Sequence, residues 1–155
     1  MRRRRNDMAQ ARRRRSGRPR RGLTLDRDQA LIALFIAAME ANGHVAPEES
    51  ARAHHLIWST RRFRRKSGDA VGRLIQNMRR LLEERGTDAV TDAAARTIPA
   101  RVRPSAFALL ADLLLADGKM DAQERRFLHG IGSRLAIEPS KVRQVIEAML
   151  LKNRL

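Results

Sequence analysis

The chain has 155 residues, no cysteine and a formal net charge of +16. That length suits one ordinary domain with a real core, and the missing thiols exclude disulfides, thiolate metal sites and a cysteine nucleophile. No stretch approaches the roughly twenty apolar residues needed to span a bilayer, so a soluble or at most peripheral protein is expected, and the lack of cysteine suits the cytoplasm.

The charge is concentrated. Between Arg2 and Arg21 eleven arginines face one acid, Asp7. The arm formed by residues 1–22, MRRRRNDMAQARRRRSGRPRRG, has too few apolar groups to offset the entropy of ordering it and repels itself, so it reads as disordered. Its blocks Arg2, Arg3, Arg4, Arg5 and Arg12, Arg13, Arg14, Arg15 are candidate contacts to nucleic acid or an anionic membrane surface, because guanidinium binds phosphate bidentately and releases counterions. A second basic run, Arg61, Arg62, Arg64 and Arg65 followed by Lys66, offers the same chemistry within the body. The blander reading is compositional: arginine outnumbers lysine 29 to 4, as GC-rich coding produces, and the arm is a solvated tail or an upstream start with Met8 as the alternative. A signal peptide is not expected, since Asp26, Arg27 and Asp28 separate the arm from an apolar run that ends at Glu40.

The remainder reads as helix. Asp26 and Asp28 open a first helix that runs to about Ala41, where Asn42 and Gly43 supply a C-terminal cap. Pro47, suited to a first helical position, starts a second that reaches about Ser59. A third, from about Asp69 to Arg85, carries Val71, Leu74, Ile75, Met78, Leu81 and Leu82 on one stripe and stops at Gly86. A short alanine-rich fourth spans about Asp88 to Thr97, and Pro99 and Pro104 bracket a break. The fifth runs from Ser105 to Ala116, the sixth from about Asp121 to Leu135, and the seventh from Pro139 to Leu151.

The helices repeat at a shift of 75 residues. Ala33, Leu34, Ala41, Gly43, Glu49 and His54 fall on Ala108, Leu109, Ala116, Gly118, Glu124 and His129. Val71, Leu74 and Ile75 fall on Ile146, Met149 and Leu150. Two three-helix units related by a pseudo-twofold axis and joined by the fourth helix are therefore expected.

The stretch LLADGKMDAQERRFLHGI, with IPARVRPSAFALLADLLL before it and IEPSKVRQVIEAMLL after it, resembles the tellurite-resistance TerB family, in which an apolar helix ends in Ala-Asp-Gly and a glutamate follows early in the next helix. The resemblance covers roughly residues 26–151. It implies an all-α fold: one seven-helix TerB-like domain over residues 23–155 with two similar halves, preceded by the arm. It also implies a non-enzymatic binding or adaptor role in tellurite or other chemical stress, metal binding through acidic residues, and a protein partner in a membrane-associated complex.

Those acids have two readings. As helix punctuation, Gly118 caps the fifth helix, while Asp121 and Glu124 form a reciprocal capping box at the sixth. That leaves Asp117 unexplained, because a carboxylate at a helix C-terminus is disfavoured unless a cation compensates. As a metal site, Asp117, Asp121 and Glu124 would offer hard oxygen ligands suited to Ca²⁺ or Mg²⁺ rather than Zn²⁺, although the spacing is not that of an EF-hand. The first half departs from this pattern, with Asn42 and Ala46 at the equivalent positions. Asp112, alone in an apolar helix, is expected to pair with an arginine or face a junction. His44, His54, His55 and His129 lie in no zinc motif, and no phosphate loop or nucleophile elbow is present, so no catalytic residue is assigned. Trp58 is expected to anchor the second helix rather than stack on bases. The alternative function is a nucleic-acid-binding protein that uses the arm and the second basic run.

Overall fold

A computed structural model describes residues 22–41 and 47–154, the first three residues of the second segment as backbone only. The arginine blocks of the arm, Arg2 to Arg5 and Arg12 to Arg15, lie outside the described residues, as do Asn42, Gly43, His44 and Ala46.

Two helices are apolar on almost every side, and that forces them into the centre. Helix α1 (Arg27–Ala41) buries Ala30 and every residue from Ile32 to Ala38. Helix α5 (Arg103–Leu114) buries Ala106, Phe107, Leu110, Ala111, Leu113 and Leu114. Around this pair lie α2 (Pro47–Ser59), α3 (Gly68–Arg85), α4 (Thr87–Thr97), α6 (Ala122–Arg134) and α7 (Pro139–Lys152), so the described residues form seven α-helices and no strand. The outer helices contribute single stripes, such as Val71, Met78 and Leu82 of α3 and Val142 and Ile146 of α7.

Part of the packing follows the repeat: helix α1 packs on α3 and α6, and α5 packs on the repeat-equivalent partners α7 and α2, while α1 and α5 meet each other. Helix α6 departs from it, packing on α5 and α7, whereas among the described residues the equivalent pairs, α1 with α2 and α2 with α3, touch at most slightly. Helix α4 is the extra element, packed on α1, α3 and α6.

Local chemistry sets the ends. Asp26 Oδ1 accepts from the amides of Asp28 and Gln29, and Gln29 Oε1 accepts from the Asp26 amide, which gives α1 a capping box of its own. Ser67 caps α3 through the Ala70 amide, and Gly86, at φ +82°, turns the chain into α4. Helix α5 departs from expectation at both ends. It begins at Arg103, because Pro104 occupies an opening position where no N–H is required instead of breaking the chain, and a 3₁₀ turn, Ala100–Val102, precedes it. It ends at Leu114, after which the chain loosens, and the Gly118 amide, at φ +75°, donates to the Leu115 carbonyl.

Candidate functional site

The linker between α5 and α6 accounts for all three acids as backbone acceptors. Asp121 Oδ1 accepts from the amides of Gln123 at 2.6 Å and Glu124 at 2.7 Å, and Glu124 Oε2 accepts from the Asp121 amide at 2.8 Å. That is the complete capping box, with Glu124 buried. Asp117 has no role in the capping box. The structure supplies its partner: Asp117 Oδ1 accepts from the Lys119 amide at 2.9 Å, an Asx turn in an exposed linker already past the end of α5. Among the described residues no three histidine or acidic side chains are grouped to hold a metal ion. Asp121 and Glu124 thus form the capping box expected at the start of α6, and Asp117 forms an Asx turn in the linker before it.

The concentrated electrostatics of this end of the molecule lie one helical turn earlier, at Asp112. Its Oδ1 receives Arg52 Nη2 at 2.5 Å from α2, Lys152 Nζ at 2.5 Å from α7, and Asn153 Nδ2 at 3.5 Å. Asn153 Nδ2 also donates to the Leu115 carbonyl at 2.8 Å, and Arg52 Nη2 donates to Asn153 Oδ1 at 3.3 Å. One carboxylate therefore ties α2, α5 and the end of α7 together. Burial raises its pKa, but the hydrogen bonds from Lys152 and Arg52, together with their charges, outweigh that and hold it below the ordinary carboxylate value. Arg52 Nε is buried with no acceptor. The expected arginine pairing of Asp112 is present, and the carboxylate does not join the acids of the linker.

The basic run 61–66 folds as consecutive turns after α2. Phe63 is its anchor, with 0% of its surface exposed, so it is not a base-stacking residue. Arg61, Arg64 and Arg65 point to solvent. Arg62 and Lys66 instead share Asp28 of α1, Lys66 Nζ at 2.7 Å from its Oδ2. Burial raises the Asp28 carboxyl, and the bonds from Lys66 and Arg62 outweigh it and lower its pKa. Arg62 is therefore committed in part to holding the turn against α1.

Other polar side chains also serve packing. Arg134 joins α6 to α4 through Asp88 at 2.5 Å, Asp92 at 3.1 Å and the buried Thr91 hydroxyl at 2.5 Å. Trp58 packs against the core at the end of α2, as expected, and its Nε1 donates to His54 Nε2 at 2.9 Å. That bond gives His54 a structural partner on its own helix, and His55 and His129 are exposed.

The family model for tellurite resistance protein TerB matches residues 28–148. Comparison with curated proteins found no match. Comparison with solved structures found none either.

Proposed function

We propose that this chain, which belongs to the TerB family, is a non-enzymatic binding module of the tellurite-resistance response whose seven-helix body engages a protein partner. The observation that carries this reading is the extent of the match. It runs from the second residue of α1 into the last turns of α7, so the family unit is the whole body rather than one motif within it. The ion pairs and caps described above support it, because Asp28, Asp112, Asp121 and Arg134 are used to fix the helices to one another. No described helix is long and apolar enough to cross a membrane, so a place in a membrane-associated complex would come through a partner or a surface contact. The test is tellurite challenge of a strain lacking the gene. Full-length protein should restore growth, and so should a chain from which residues 1–21 are deleted. Failure of both to restore growth, with the protein present at normal level, would sink the stress assignment.

A nucleic-acid reading has one observation in its favour. The turn at 61–66 presents Arg61, Arg64 and Arg65 to solvent while Phe63 is buried in the core beneath it. Duplex binding measured against salt would decide it. Phosphate neutralisation predicts an affinity that falls steeply with ionic strength and a smaller salt slope in a chain lacking these three arginines.

A further inference from the structure

A groove of about 310 Å³ lies between the first turns of α1, the turn after α2, the bend between α4 and α5, and the start of α5. Its floor is apolar, with Leu31, Val102 and Leu109 reachable from outside. Val102 is 38% exposed, unusual for a large apolar side chain of this body. Arg27, Arg62 and Arg101 form the rim. Arg27 and Arg101 are exposed and make no ion pair among the described residues, and Asp28, the carboxylate that Arg62 holds, is already shared with Lys66. The groove thus combines an open apolar floor with a rim on which Arg27 and Arg101 carry no ion pair among the described residues, a combination the helical packing itself does not need.

We propose that this groove binds an amphiphilic anion, an apolar chain ending in a carboxylate or phosphate, with the chain on Leu31, Val102 and Leu109 and the head between Arg27 and Arg101. Its volume falls in the range of small-molecule sites, which are mostly apolar with a few placed polar groups. Guanidinium matches both headgroups through bidentate charge-assisted hydrogen bonds. Charge complementarity also rejects the other occupants within reach. The Arg-rich residues 2–21 carry the rim's own sign. A second copy docked across a twofold axis would set like rims against each other. The ligand has two natural sources, a free fatty-acid-like anion or the head and chain of an anionic membrane lipid, and both present this chemistry.

The experiment uses the full chain. Sodium dodecanoate and dodecyl phosphate, kept below micelle-forming concentrations, are titrated calorimetrically beside dodecyltrimethylammonium and a neutral alkyl glucoside. The expected result is saturable one-to-one binding of both anions, at least about tenfold weaker for the cationic and neutral amphiphiles. The variants Arg27→Ala/Arg101→Ala and Val102→Asp alter exposed positions, and circular dichroism confirms that they remain helical. Each should weaken dodecanoate by about tenfold or more. Sedimentation with phosphatidylglycerol vesicles separates the sources. Co-sedimentation that is lost in the double variant assigns the lipid, whereas dodecanoate binding without vesicle binding assigns the free anion. Binding that both variants leave unchanged would belong to the Arg-rich arm and would overturn the proposal. So would an acidic peptide that saturates the groove where neither anion does.

Discussion

The Asp112 junction makes the sharpest energetic prediction. Asp112→Asn keeps the shape of the side chain and removes the charge that Arg52 and Lys152 face. The Asp112 side chain is 13% exposed, Arg52 30% and Lys152 49%, so the Arg52 pair is partly shielded and the Lys152 pair is largely solvated. Fully exposed pairs contribute roughly 0–1 kcal/mol and breaking a fully buried pair costs roughly 3–5 kcal/mol. A pair between these limits, with Arg52 Nε already buried without an acceptor, places the loss at about 2 kcal/mol. With a urea m-value of about 2 kcal/mol/M, the unfolding midpoint should fall by about 1 M. Lys152→Met should cost less than about 0.5 kcal/mol, because water replaces most of that contact. Arg52→Met combined with Asp112→Leu should return to within about 1 kcal/mol of the starting stability, since both charges leave together. The reasoning is refuted if Asp112→Asn moves the midpoint no more than Lys152→Met does, or if the double variant is less stable than Asp112→Asn.

The depressed pKa values of Asp28 and Asp112 carry a pH consequence. Unfolding returns each group to its ordinary value, so their contribution is full above that value and disappears as pH falls through the lower folded one, an acid-limb loss that chemical unfolding below about pH 4 should show. Glu40, raised by burial with Arg79 opposing and Glu83 adding, acts in the opposite sense and offsets part of that loss, so its replacement by Gln should steepen the limb. Asp121→Ala should cost about 1 kcal/mol through the lost cap, while Asp117→Asn, which keeps an Asx acceptor, should stay within about 0.5 kcal/mol. Millimolar Ca²⁺, Mg²⁺ or Zn²⁺ should leave the melting temperature unchanged, and a rise that Asp117→Asn abolishes would restore a cation to this linker. Gly118→Ala should destabilise by about 2 kcal/mol or more in urea titration, because the backbone sits at φ +75° and a Cβ would lie 2.7 Å from the Asn153 carbonyl oxygen. Ala136→Gly should stabilise by about 1 kcal/mol: Ala136 holds φ +52° at the C′ position of a Schellman motif, with Ile137 donating to Gly132 at 3.0 Å and Ala136 to Ser133 at 2.9 Å.

What was legible in the sequence is what acts over a few residues. Helices α1 and α5 announce themselves as central because they lack a polar face, and the repeat makes them equivalent before any contact is seen. Gly86 and Pro139 stop and start helices through their own backbone preferences, so those junctions fall within a residue or two of expectation, whereas Gly118, expected to cap α5, lies beyond its C-cap Leu115 and turns the linker instead. Pro104 misleads because proline is both a breaker and a favoured opening residue, and only the preceding 3₁₀ turn decides between the roles. Asp117 misleads for a related reason. Reading it as the end of α5 sets its charge against a helix dipole, whereas the helix ends three residues earlier and the carboxylate finds an amide two residues on.

The candidate sites were less legible because they are assembled across the chain. Asp112 signals a partner by being the lone charge in an apolar helix, yet Arg52 and Lys152 lie 60 and 40 residues away, and nothing near either residue marks it as the partner. In the run 61–66 charge alone gives four arginines equal weight. Folding divides them, since Asp28 lies 34 residues before Arg62 and takes it, while Phe63 goes inward and leaves Arg61, Arg64 and Arg65 outside. The groove is the extreme case. Arg27, Arg62 and Arg101 come from three separate segments, and each looks like an ordinary solvated arginine in its own surroundings. Their meaning arises only when the bend at Pro99 and the turn after α2 bring them round one apolar floor. In a chain so rich in arginine, then, the number of cations says little about function, and the useful observation is which of them the fold leaves without an acid.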